Sequence, residues 1–250
     1  MSLHSDPRRL TAEALGTFFL VLLGPGAVMA NEFSGGSLGA AGIALAFAFV
    51  VTAMVYAVGH LSGAHINPAV TIAFWSVRRF PTRDVLPYVI AQCIGAITAS
   101  AVLRTAVGPV GRLGATLPAI PVSAAFVVEW LLSFVLMFVI MAVATDERVA
   151  DGFAAIGVGL TVGACALVGG PLTGASMNPA RSVGPAPIGG IWIAHWVYWV
   201  APITGMIGAA RLYDLLRSAR APAARRAQGS ALGIQGPIAD EPRPSDSSSI

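Results

Sequence analysis

Gly63-Ala64-His65-Ile66-Asn67-Pro68-Ala69-Val70-Thr71 returns later in the chain as Gly174-Ala175-Ser176-Met177-Asn178-Pro179-Ala180-Arg181-Ser182. Each copy reads Gly-Ala-x-x-Asn-Pro-Ala. Asn-Pro is a helix-start signal: Asn is a favoured N-cap, and Pro suits the first helical position because its missing N–H would be unbonded there anyway. As N-cap, Asn67 can accept the N–H of Ala69 or Val70 and keep its NH₂ to donate elsewhere, and Asn178 can do the same. Both helices are short. The first is apolar from Pro68 to Trp75 before Arg78 and Arg79; the second meets Gly184-Pro185 almost at once. A bilayer span needs roughly 20 apolar residues, so these are half-spans. Non-helical backbone at membrane depth is tolerated only against protein or a water-filled cavity.

Composition sets the solvent. The chain is 56% hydrophobic and 11% charged, with mean hydropathy +0.75, against about 25% charged residues in soluble domains. It reads as an all-α membrane protein. Its 250 residues suffice for six spans and short loops. The formal charge is +3 and every basic residue is Arg. In a membrane protein such charge reports orientation before any nucleic-acid partner. Cys93 and Cys165 fall in apolar runs without metal or disulfide spacing. No cleavable signal peptide is expected, because the first apolar run is long enough to span.

Outward from the two motifs, the expected spans are Leu10–Met29, Leu38–Val58 and Val85–Val107 in the first half. Those in the second half are Val122–Ala144, Gly152–Val168 and Trp192–Leu212. A Gly/Pro-rich loop covers 108–121. One membrane domain is expected over 1–216, with halves at about 8–107 and 122–216; residues 217–250 read as a disordered cytoplasmic tail. Glu13 in Glu-x-x-x-Thr opens the first half, and Glu129 in Glu-x-x-x-Ser opens the second. Three spans per half is an odd number, so the second half enters from the opposite side, an inverted repeat. Arg8, Arg9, Arg78, Arg79, Arg83, Arg148, Arg211, Arg217, Arg220, Arg225 and Arg226 fall on one side; Arg104, Arg112 and Arg181 fall on the other. The excess places both termini in the cytoplasm.

The inversion brings Asn67 and Asn178 face to face near the bilayer centre, where both half-helices point their N-termini. Each terminus carries about half a positive charge and unpaired N–H groups. Water can accept from both amides. A cation meets a positive potential while losing hydration. The two donors also turn the hydrogens of the central water away from each other and break a proton wire. Arg181, charged inside an apolar segment, is expensive there and so reads as functional rather than as a residue snorkelling to the interface.

The two copies resemble the paired Asn-Pro-Ala motifs of the aquaporin (major intrinsic protein) channels, and the resemblance covers residues 8–216. It implies six transmembrane helices, two re-entrant half-helices and a homotetramer with one pore per subunit. It makes Asn67, Pro68, Ala69, Asn178, Pro179 and Ala180 the pore motifs. Family spacing makes Phe47, Ala166, Ala175 and Arg181 the selectivity filter. It has the carbonyls of Gly63, Ala64 and His65, and of Gly174, Ala175 and Ser176, line the pore. It also makes Glu13 and Glu129 structural acids that accept N–H groups of the half-helix loops, where a transporter would use them as proton relays. Strict water channels of the family carry His where this chain has Ala166, so the hole is expected to be wider and less hydrophilic. The small filter residues look like plant nodulin-26-like and related bacterial members; Ser182, Ala186 and Tyr198-Trp199 look water-type.

The expected function is a passive channel in the plasma or inner membrane. It passes water and small neutral solutes and excludes protons and ions. A channel mainly for glycerol, urea or neutral metalloid acids is the nearest alternative. A coupled secondary transporter and an adhesion protein of the same fold are the others. No nucleophile–base pair, metal cluster or phosphate loop is present in the sequence, so neither catalysis nor a cofactor is expected.

Overall fold

The computed structural model describes residues 6–145 and 152–218. Among these there are helices and loops and no strand. Helix α1 (Pro7–Phe33) starts at Pro7 with Asp6 as N-cap, accepting the N–H of Arg8 at 2.9 Å. It is followed by α2 (Gly39–Ser62), the half-helix α3 (Pro68–Ser76) and α4 (Thr82–Val107). The second half holds α5 (Val122–Thr145), α6 (Ala154–Thr173), the short α7 (Pro179–Val183) and α8 (Pro185–Gly189), and α9 (Val197–Ser218). Gly184, between α7 and α8, keeps right-handed helical angles (φ −47°, ψ −62°), so the second half-helix is interrupted mainly by the N–H that Pro185 lacks.

Five of the long helices, α1, α2, α4, α5 and α6, are long and apolar enough to cross a membrane. At about 1.5 Å per residue, 20 residues cover the 30 Å hydrocarbon layer. At 22 residues α9 is long enough but less apolar, and the repeat makes it the counterpart of α4. Most helices outrun their apolar cores. α1 begins three residues before Leu10 and ends four after Met29, because helical hydrogen bonding continues into the interfacial layer. α9 instead begins at Val197, since Ile193–Trp196 form turns. The body formed by these elements runs to Tyr213; the second unit starts at Asp214, and only its helical residues up to Ser218 are described. From residue 219 the expected tail lies outside the described residues, as do 146–151 with Arg148.

The halves repeat in their packing. Gly95 of α4 lies so close to the Ala14 carbonyl of α1 that a Cβ there would overlap it, and Gly205 of α9 meets the Trp130 carbonyl of α5 in the same way. Both glycines are 110 residues apart, and Ala14 and Trp130 are 116 apart. Between the halves, Gly159 and Gly163 of α6 press on Ala48 of α2. Close backbone approach through small residues is how helices associate in lipid, where no hydrophobic force drives them together. The outer surface carries Leu15, Leu23, Phe49, Ile94, Leu131 and Leu160 exposed, an apolar band suited to hydrocarbon.

The loop 108–121 is more ordered than its composition suggests. Gly111, Arg112 and Leu113 take left-handed angles (φ 55°, 48° and 56°), and Gly114 follows at φ +66°. Leu113 is buried against Met29 and Leu103, which anchors the turn to α1 and α4.

Candidate functional site

Asn67 and Asn178 cap their helices in extended conformation (φ −161° and −150°). Asn67 Oδ1 accepts the N–H of Ala69 at 2.9 Å, and Asn178 Oδ1 accepts those of Ala180 at 3.0 Å and Arg181 at 3.3 Å. Their amide nitrogens cross between the halves: Asn67 Nδ2 donates to Met177 O at 2.8 Å, and Asn178 Nδ2 donates to Ile66 O at 2.9 Å. The bonds are reciprocal, as a two-fold relation requires. An NH₂ group has two donors, so each amide keeps one N–H. Both asparagines line one cavity in the middle of the protein.

Beneath each asparagine the chain is held by a buried carboxylate. Glu13 accepts from Ser62 Oγ (2.7 Å), His65 N (2.9 Å), Ile66 N (2.7 Å) and Gln92 Nε2 (2.7 Å). Glu129 accepts from Thr173 Oγ1 (2.6 Å), Ser176 N (2.9 Å) and Met177 N (2.9 Å). Tyr88 donates to Ser62 O at 2.9 Å, and Tyr198 donates to Thr173 O at 2.8 Å. These bonds hold a strained path. Ala64 and Ile66 have φ of 46° and 42°, Ala175 and Met177 of 42° and 50°. A non-glycine residue in that region costs about 1–2 kcal/mol, and such strain persists only where its surroundings over-determine it. Gly63 and Gly174, at φ 91° and 86°, enter each path without a Cβ penalty.

Sequence reading missed the supporting hydrogen bonds of Ser62, Thr173, Tyr88, Tyr198 and Gln92. A signal for four of them existed: Ser62 and Thr173 are 111 residues apart, like the two asparagines, and the tyrosines are 110 apart. Gln92 has no such twin, because Pro202 stands 110 residues on.

Phe47 from α2, Ala166 from α6, Ala175 from the loop and Arg181 from α7 all line the same cavity. Arg181 is 2% exposed. Its Nη1 donates to Gly114 O at 2.6 Å and its Nη2 to Gly174 O at 3.5 Å. Each terminal nitrogen keeps a further N–H. The guanidinium carbon lies 5.4 Å from the centre of the Phe47 ring, a cation–π distance. Ala166 offers no hydrogen bond.

Elsewhere the cavity wall is apolar, with Leu20, Val51, Val70, Leu136, Ile140 and Val158. The loop residues Gly63, Ala64, His65, Ala175 and Ser176 line it as well; Gly174 does not, its carbonyl being turned to Arg181. His65 lines the cavity but is fixed by Thr71 Oγ1 at 3.1 Å from Nδ1 and by the rings of Phe74, Phe80 and Tyr88. In the second half Ser176 takes that place, 2.6 Å from Ser182 Oγ, which accepts from Thr116 at 2.8 Å. His60 is exposed, and His195 is half-buried against Trp192. Cys165 points its Sγ at Leu132 O, 3.8 Å away, and does not line the cavity. Among the described residues no cluster of His, Cys, Asp or Glu could hold a metal ion.

Two half-helices meeting nose to nose around a central cavity, within spanning helices related by an inverted repeat, define the class of the water and small-solute channels. The sequence profile of the major intrinsic proteins matches residues 2–213. Nodulin-26 of Glycine max is 46% identical over 219 residues, 86% of this chain and 81% of that protein. The probable aquaporin AqpM of Archaeoglobus fulgidus is 45% identical over 237 residues, 84% of this chain and 96% of that protein. The crystal structure of the aquaglyceroporin from Plasmodium falciparum superposes with a TM-score of 0.73 at 27% identity, covering 83% of this chain and 95% of that one. The chain belongs to the major intrinsic protein family. It is a multi-pass membrane channel and not an enzyme.

Proposed function

We propose that the chain passes water and small uncharged solutes through this cavity, without coupling to a gradient, while excluding protons and ions. The observation that carries the reading is the reciprocal amide pair. Asn67 and Asn178 each keep one donor at the point where two helix N-termini meet. A neutral oxygen is welcome there. A cation meets positive potential at low dielectric, where Coulomb terms are large. Water held by two donors cannot also relay a proton. Glu13 and Glu129 act as structural acids, since their oxygens are occupied by loop N–H and hydroxyl donors.

Phe47, Ala166, Ala175 and Arg181 form the selectivity filter in this reading. Arg181 donates to the solute and repels cations, Phe47 supplies an apolar wall, and the two alanines leave width. That width supports a second reading, a channel mainly for glycerol, urea or neutral metalloid acids. The aquaglyceroporin likeness and the nodulin-26 relative accord with it.

The protein sits in the cell membrane with both termini cytoplasmic and the tail from residue 217 on that side. Arg9 of α1 reaches Asp84 of α4 at 3.4 Å, beside Arg78, Arg79 and Arg83, and this clusters positive charge at one end of the bundle. It assembles as a homotetramer with a pore in each subunit, its apolar outer helix faces supplying the contacts.

The test is stopped-flow light scattering on proteoliposomes, wild type beside Ala166→His, for water efflux and for glycerol uptake. Fast water flux with glycerol uptake abolished by the histidine supports a wide filter at Ala166. Fast water flux without glycerol uptake in either protein makes it a water channel. No flux of either kind from folded protein rejects an open channel.

A further inference from the structure

Phe47 and Arg181 are both seated from behind by one step of α1. Gly24 faces the Phe47 ring: a Cβ there would fall 2.7 Å from Cδ1 and Cζ, and closer still to Cε1. Pro25, the next residue, faces Gly114. A Cβ on Gly114 would fall 2.7 Å from the Cα and Cβ of Pro25 and 2.8 Å from its carbonyl oxygen. Gly114 closes the left-handed turn, and its carbonyl takes the 2.6 Å hydrogen bond from Arg181 Nη1. Neither Gly24 nor Pro25 lines the cavity.

We propose that Gly24-Pro25 is a specificity-determining step that sets the bore without touching the solute. Gly24 fixes how far the Phe47 ring withdraws from the cavity. Pro25, through Gly114, fixes where the Arg181 guanidinium stands opposite that ring. The proposal rests on the reading of Phe47 and Arg181 as the constriction.

The physical argument is one of available space. The ring is buried between α1 on one side and the cavity on the other. Atoms 2.7 Å from a new methyl must move, because interiors are close-packed and store little slack. The open side is the cavity, so a methyl at position 24 drives the ring inward. A smaller bore rejects glycerol before it rejects water. One methylene in a fitted pocket discriminates by about 10-fold or more.

The experiment is a double-mutant cycle in proteoliposomes, reading the ratio of glycerol to water permeability for wild type, Gly24→Ala, Phe47→Ala and the double variant. The expected ratio falls about 10-fold in Gly24→Ala and rises in Phe47→Ala. In the double variant it equals that of Phe47→Ala, because the methyl then meets no ring. A wild-type ratio in Gly24→Ala, while Phe47→Ala opens the channel, overturns the proposal alone. An equal fall with and without the ring also overturns it, since the effect would then be general damage to the fold. A wild-type ratio in Phe47→Ala rejects the constriction reading, and this proposal with it. If Gly24→Ala does not insert, the comparison is Gly24→Ala/Phe47→Leu against Phe47→Leu. A lower ratio in the double variant supports the seat, and an equal ratio overturns it.

Discussion

Asn67 of the first half donates its side-chain N–H to the carbonyl of Met177 in the second, at 2.8 Å. The return bond, Asn178 to Ile66 at 2.9 Å, closes the pair. One residue type thus caps a half-helix, ties it to its partner and offers a donor to the cavity. An aspartate keeps the first task and loses the other two.

Asn67→Asp and Asn178→Asp are therefore expected to fold less stably and to leak cations. The carboxylate still caps, but it faces the carbonyl of Met177 or Ile66 without a donor and adds negative charge where the helix termini supply positive. A buried group left unpaired costs about 1–3 kcal/mol. Ion conductance in planar bilayers, beside the thermal midpoint in detergent, checks both halves of the expectation.

Glu13→Gln and Glu129→Gln should damage the fold, not a coupling step. Each glutamine turns an NH₂ toward loop N–H groups that now have a carboxylate oxygen. Loss of one such acceptor costs about 1–3 kcal/mol, and the strained angles at Ile66 and Met177 lose their restraint. Tyr88→Phe and Tyr198→Phe remove a single neutral bond each, at about 1 kcal/mol. Thermal unfolding ranks them. Solute flux in whichever variants fold should ignore an imposed proton gradient; a response to it would favour a transporter.

Mercurials are expected to leave water flux unchanged. Cys165 is buried with its sulfur toward α5, and neither Cys165 nor Cys93 lines the cavity. Ala166→Cys puts a thiol on the wall, and stopped-flow should then show a block that a reducing thiol reverses. Inhibition of the wild type would place Cys165 or Cys93 on the path.

Much of this architecture is legible in the sequence because its determinants are local or periodic. Asn-Pro announces a capped helix, the charged stops make it short, and the matched positions of Glu13 and Glu129 announce the repeat. The loop's hydroxyl ties were also within reach, since Ser62 is matched by Thr173 at the 111-residue spacing of the asparagines and Tyr88 by Tyr198 at 110. The turn at Gly111–Leu113 was not. Arg112 and Leu113 have no local preference for left-handed angles, and burial of Leu113 against Met29 and Leu103 holds them there. Nor does anything near Gly24 in the chain announce Phe47, twenty-three residues away on the next helix; that contact exists only once α1 and α2 pack.

The most direct measurement is of water and proton flux in the same vesicles. Proteoliposomes carrying a trapped pH dye are given an osmotic step, then a pH step with valinomycin and potassium to dissipate the membrane potential. The paired asparagines predict shrinkage far faster than in protein-free vesicles, while interior pH relaxes no faster than in those vesicles. Proton uptake that accompanies fast water flux would contradict the account.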